Sequence, residues 1–97
     1  MKNRYSRQEI FEKIGKKGQQ KLLNSKVVVV GVGALGTTVC DLLARAGIGE
    51  IILIDHDVID QTNLQRQTLF CEEDIGKPKA STAKKYLEKI NSEIKII

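Results

Sequence analysis

KVVVVGVGALG, Lys26 to Gly36, is the stretch that decides the fold. Four consecutive β-branched residues, Val27 to Val30, read as a short strand buried on both faces, because a strand with one wet face alternates polar and apolar residues. The strand runs into Gly31, Gly33 and Gly36, a G-x-G-x-x-G turn, after which Leu35, Val39, Leu42, Leu43 and Ala46 form one apolar stripe at helical spacing. Glycines here allow backbone conformations and close approach that a Cβ would block. The unpaired N–H groups of the helix start then face a ligand's phosphates.

Beyond the helix, Gly47 and Gly49 give a stop and a turn, and Ile51 to Ile54 is a second apolar strand. It ends in Asp55, about twenty residues past the last glycine, where an acidic side chain can accept hydrogen bonds from ribose hydroxyls. The pattern predicts nucleotide binding without saying which nucleotide; a glycine turn used only for helix–strand packing is the alternative. The connection from Asp55 to Gly76 is long for a compact domain, and such a loop is functional or carries its own short helix. Asp55, Asp57 and Asp60 lie in one acidic turn, where Asp57 and Asp60 shape the chain, and Asn63, Leu64, Gln65, Arg66 and Gln67 follow. Pro78 suits a first helical position, Ala80, Ala83, Leu87 and Ile90 define an amphipathic helix to about Asn91, and Ile94, Ile96 and Ile97 begin a third strand.

The fold class is therefore α/β: a Rossmann-like βαβαβ half of a doubly wound parallel sheet over residues 26–97. In such a half the first strand lies centrally, beside a fourth. With nothing after Ile97, the valine strand would have an open edge, so the chain reads as a fragment or a truncated product. Residues 1–25 form a helical arm. Ser6 and Glu9 make an S-x-x-E capping box ahead of Ile10 and Ile14, predicting a helix from Ser6 to Gly15, and a second polar helix covers Lys17 to Leu23. The arm either covers an edge of its own fold or reaches a neighbouring subunit.

Composition bounds the rest. Ninety-seven residues make at most one domain, and 41% hydrophobic with 29% charged residues suits a soluble globular chain. No apolar run approaches membrane-spanning length and no basic-then-apolar leader is present, so the expected compartment is the cytoplasm, with no membrane partner. The net charge of +4 is scattered, with four aromatics and no basic stripe beside them, which argues against nucleic acid as a partner. Cys40 and Cys71 form no C-x-x-C pair and read as free thiols.

A triphosphate needs cations as well as N–H dipoles. Thr37 follows Gly36 where a P-loop would have lysine, so the charges must come from elsewhere. Arg66 offers a planar fork suited to phosphate oxygens, and Lys79, just after Pro78, places an ammonium near a helix start. His56, Tyr5 and Tyr86 read as a solvated loop residue and two packing residues.

Five ordered blocks then resemble one family closely: Arg4-Tyr5-Ser6-Arg7-Gln8, Gly31-Val32-Gly33-Ala34-Leu35-Gly36, Asp55-His56-Asp57, Asn63-Leu64-Gln65-Arg66-Gln67, and Asp74-Ile75-Gly76-Lys77-Pro78-Lys79. They are similar to the N-terminal half of the ThiF/MoeB/HesA family, relatives of ubiquitin-activating enzymes, over essentially the whole chain. The resemblance implies ATP-dependent adenylation: the C-terminal glycine carboxylate of a small ubiquitin-like (β-grasp) sulfur-carrier protein attacks the α-phosphate, and pyrophosphate leaves. It implies that Asp55 binds ribose, that Asn63, Arg66, Gln67 and Lys79 hold the triphosphate, and that Arg7 reaches the phosphates from the other subunit of a homodimer. It also implies Mg2+ held by an aspartate outside these 97 residues, with zinc-binding cysteine pairs and any catalytic cysteine possible only in a full-length protein. Cys71 does not match that later cysteine. The chain alone is therefore expected to be inactive or nearly so. Two other readings stand beside this one: an NAD-binding half-domain of an oxidoreductase, which leaves Asn63 to Gln67 unexplained, and a non-catalytic dimerisation module.

Overall fold

The computed structural model describes residues 3–97. In chain order these form α1 (Ser6–Glu9), α2 (Gly15–Leu23), β1 (Lys26–Val30), α3 (Ala34–Ala46), β2 (Glu50–Ile54), two 3₁₀ turns at Gln61–Asn63 and Glu72–Asp74, α4 (Lys79–Ile90) and β3 (Lys95–Ile96). The strands make one parallel sheet in the order β1-β2-β3, the βαβαβ half expected of a Rossmann-type fold. Charge pins the register at its lower end. Lys26, Glu50 and Lys95 stand side by side, and the Glu50 carboxylate takes both ammonium groups, at 3.2 and 3.9 Å. The long connection carries short helical turns of its own, as its length predicted.

Both crossovers step in the same direction, so right-handed connections put α3 and α4 on one face of the sheet. That face holds the core. Val29, Ile51, Leu53 and Ile96 point into it and meet Cys40, Ala44, Ala83 and Leu87 from the helices. On the opposite face Val28, Val30 and Ile54 are exposed, Val30 by 77%. The valine strand is thus buried on one face only, because among the described residues no layer covers the other. The apolar stripe of α3 is corrected for the same reason. Leu35 and Leu42 are exposed, and the helix buries Thr37, Cys40 and Ala44 instead.

The arm also differs from its sequence pattern. Helix α1 ends at Glu9 rather than Gly15, its cap position is Tyr5, and Ser6 makes no side-chain cap; Glu9 pairs with the Asn3 amide instead. Helix α2 starts two residues earlier than expected, at Gly15. What fixes the arm is a polar knot at the C-terminal ends of α3 and α4. Gln8 and Gln19 each donate to the Ala46 carbonyl at 3.0 Å. The Asn91 amide donates to both the Tyr5 hydroxyl and the Ala44 carbonyl at 2.8 Å, and Arg4 pairs with Glu93 at 2.8 Å. The arm therefore covers its own fold. No helix among the described residues is long and apolar enough to cross a membrane.

Asn91 is fully buried and bonds two elements at once. Asn91→Ala leaves the buried Tyr5 hydroxyl without its partner and takes from the Ala44 carbonyl the shorter of its two donors, the other being the Gly47 N–H at 3.3 Å; it is expected to cost about 2 kcal/mol, read as a lower urea midpoint. An unchanged midpoint would show that the knot does not hold the arm.

Candidate functional site

The glycine turn lies at the C-terminal ends of β1 and β2, where doubly wound sheets place ligands. Gly31 sits at φ +89°, a left-handed conformation that disfavours side chains, and its N–H donates to the Ile54 carbonyl at 2.8 Å. A Cβ on Gly36 would stand 1.9 Å from the Gly31 carbonyl oxygen, so the first turn of α3 can approach β1 only without one. Gly33 is the N-cap of α3 and brings no side chain to cap it, which leaves first-turn N–H groups available to an anion. The buried Thr37 hydroxyl donates back to the Gly33 carbonyl at 2.7 Å and holds the turn's other side.

Asp55 stands beside this turn. One carboxylate oxygen accepts the Val32 N–H and the other the Asp57 N–H, both at 2.7 Å. Partial burial pushes its pKa up, but these two N–H groups, with the charges of Lys79 and His56, outweigh that and hold the carboxyl below its usual value. Lys79 is only 8% exposed, and its charge acts on Asp55. Its backbone reaches the same place. Lys79 N–H donates to the Asp57 carbonyl at 3.0 Å and Ile59 N–H to the Lys77 carbonyl at 2.9 Å, a short antiparallel ribbon through Val58 and Pro78. Pro78 is the N-cap of α4, one position before its expected place.

The Asn63 to Gln67 block divides. The Asn63 side chain accepts the Asp60 N–H at 2.8 Å, while Asp60 caps the 3₁₀ turn through the Thr62 N–H, so both serve local turn structure. Gln67 is 3% exposed; its amide nitrogen lies 3.8 Å from where a Gly33 Cβ would be, and its carbonyl oxygen is buried without a partner. An orphaned acceptor beside a glycine turn is what a ligand's donor would satisfy. Arg66 is exposed, its guanidinium donating to the Thr62 carbonyl at 3.0 Å. The structure thus brings Gly31, Gly33, Gly36, Asp55, Gln67 and Lys79 together. Arg7 is elsewhere: exposed on α1, at the pole where α3 ends, roughly 20 Å of helix from its own glycine turn.

His56 is exposed, as expected of a solvated loop residue, and both cysteines are free. Burial pushes the Cys40 thiol up to about 11, which makes it inert at neutral pH. Sequence reasoning did not anticipate the Val32 N–H or the Thr37 hydroxyl; the first is a backbone donor without a side-chain signature, and the second has only its place after Gly36 as a signal.

Two outcomes follow from this geometry. Gly36→Ala forces the helix away from Gly31 and is expected to cost about 2–3 kcal/mol of stability; a melting temperature equal to that of the wild type would refute the close approach. Asp55 has a lowered pKa, so its stabilisation is complete above the ordinary value of 3.8 and is lost as pH falls toward the folded value. Asp55→Asn should therefore flatten the loss of stability below about pH 4, and identical pH profiles for the two proteins would contradict the assignment.

Known proteins resemble this chain over nearly its whole length. The ThiF family model matches residues 5–97. The sulfur carrier protein ThiS adenylyltransferase of Bacillus subtilis is 46% identical over 98 residues, covering 99% of this chain and 29% of that protein. The SAMP-activating enzyme E1 of Haloferax volcanii is 43% identical, over 97% of this chain and 35% of its own. Among solved structures, E. coli MccB with ATP superposes with a TM-score of 0.90 at 49% identity, over 99% of this chain and 30% of MccB. The chain spans about a third of the length of the relatives it matches. With its Rossmann-type half-sheet, its glycine turn and this match over nearly its whole length, the chain belongs to the ThiF family.

Proposed function

We propose that residues 26–97 are the N-terminal half of the ATP-binding domain of an adenylyltransferase, with residues 1–25 as its helical arm. The acceptor is the C-terminal glycine carboxylate of a ubiquitin-like sulfur carrier. The observation that carries this reading is the meeting of Asp55, Lys79 and the orphaned Gln67 oxygen at the glycine turn. Two relatives are named sulfur carrier protein ThiS adenylyltransferases, and a structural neighbour, MccB, is solved with ATP.

In this reading, open N–H groups of the turn and first turn of α3 take phosphate oxygens, and Asp55 accepts from the ribose. Lys79 supplies a fixed cation at low solvent exposure, where its field is less screened than in open water. Arg66 supplies a second, solvent-exposed one, which spends one N–H on the Thr62 carbonyl and has others to offer a phosphate. When the carrier carboxylate attacks the α-phosphate, negative charge grows on the phosphoryl oxygens and on the departing pyrophosphate, and both cations oppose it. Asn63 positions the block that presents Arg66 and Gln67. Among the described residues no three acidic, cysteine or imidazole groups converge to hold a metal, and in this reading the Mg2+ ligand is an aspartate outside them.

Arg7 completes the site from a second subunit of a homodimer, since its own turn lies at the far pole. The cytoplasm is the proposed compartment. The MccB structure with N-formylated MccA, 50% identical, favours a second acceptor class, a peptide such as MccA.

ATP titration with Mg2+ tests the reading. Saturable binding is expected, weakened at least about tenfold by Lys79→Ala and by Arg66→Ala, with NADH failing to compete. NADH binding more tightly than ATP, or both variants binding like the wild type, would overturn it. Residues 1–97 alone should show little or no pyrophosphate exchange, and full turnover would contradict the division of the active site.

A further inference from the structure

We infer that Asp55 is a positioning residue for the phosphate-binding turn itself, tying the glycine turn to the lysine-bearing start of α4, and not solely a ribose acceptor. This rests on the reading that the turn takes a nucleotide's phosphates.

The connection is continuous and short. Val32 N–H, inside the glycine turn, donates to one Asp55 oxygen at 2.7 Å, and Asp57 N–H donates to the other at 2.7 Å. The Asp57 carbonyl then accepts the Lys79 N–H at 3.0 Å. Three blocks far apart in sequence are thereby joined through one carboxylate and the backbone of one residue, Asp57. Both carboxylate bonds are charge-assisted and at the short end for N–H donors, the class roughly twice as strong as neutral pairs. Nothing else pins Val32: its side chain is fully buried, but its N–H has no other acceptor among the bonds of the described residues.

The two roles do not compete. A carboxylate has more lone pairs than two N–H donors occupy, so ribose hydroxyls can still be accepted while Val32 and Asp57 stay bonded. A purely ribose-binding aspartate and a turn-positioning one nevertheless respond oppositely to a ligand without ribose. Removing a negative charge beside an anion site should, by charge alone, tighten binding of inorganic tripolyphosphate. Removing the strut that holds Val32 and α4 in place should weaken it.

The experiment compares wild type with Asp55→Asn and Asp55→Ala for tripolyphosphate and for ATP, alongside the Val32 amide resonance followed against pH. Asparagine can accept one N–H but turns a second donor toward the other, so it breaks the bridge while keeping the volume. Positioning predicts that tripolyphosphate affinity falls about tenfold or more in both variants, and that the wild-type Val32 amide titrates with a carboxylate below the ordinary aspartate range. Tripolyphosphate bound equally well or more tightly by folded variants overturns the inference. So does a Val32 amide that ignores the carboxylate, and that wild-type measurement decides the matter if the variants do not fold. Wild type that takes up neither ligand rejects the nucleotide reading, and the Val32 titration then decides the positioning role by itself.

Discussion

The carboxylate of Asp55 is where the three functional segments of this chain become one object. By accepting Val32 N–H and Asp57 N–H it fixes the glycine turn relative to the loop after β2, and the Asp57 carbonyl passes the constraint to the N-terminus of α4. Its cost is the partial desolvation of a charge, and the compensation is two short N–H bonds and the nearby ammonium of Lys79. The same arrangement sets the Lys79 side chain, at low exposure, near a carboxylate. A positive group held beside open N–H donors is suited to a polyphosphate.

The fold sets the ends of the sheet apart. At the C-terminal ends of the strands are glycine turn, carboxylate and lysine; at the other end the arm is knotted through Tyr5, Gln8, Gln19 and Asn91 onto the closing turns of α3 and α4. The arm is thus well anchored and yet exposes Arg7. Between the ends, one face of the sheet is packed and the other presents Val28, Val30 and Ile54 to solvent, alongside Leu35 and Leu42 of α3. The relatives are about three times as long as the matched region.

Much of this was legible in the sequence, for physical reasons that differ by element. The strand–glycine–helix order and both later strands were readable because β-branched runs, glycine spacing and helical periodicity are local signals. Asp55, Lys79 and the three glycines could be singled out together because their chemistry and their places at element ends coincide, and the fold brings them to one place. Burial was not readable. Four valines look alike whether a layer covers one face or both, and Leu35 and Leu42 look like core when nothing shows which neighbours are present. Ser6 and Glu9 had the capping spacing, but the α1 turn closes at once and Asn3 takes Glu9, a competition among local polar groups that spacing does not resolve. Asn91 marked only a helix end, whereas its partners lie 47 and 86 positions away. Asn63 matched a phosphate-binding pattern, and the cap its side-chain oxygen gives to the Asp60 N–H had no place in that reading.

The most direct measurement of the central claim is an amide chemical-shift map of this chain titrated with ATP. The largest changes should fall on Val32, Gly33, Ala34, Gln67 and Lys79, clustered around the Asp55 carboxylate. Changes confined to the lysine-rich groove of Lys85, Tyr86 and Lys89, with the glycine turn unmoved, would contradict it.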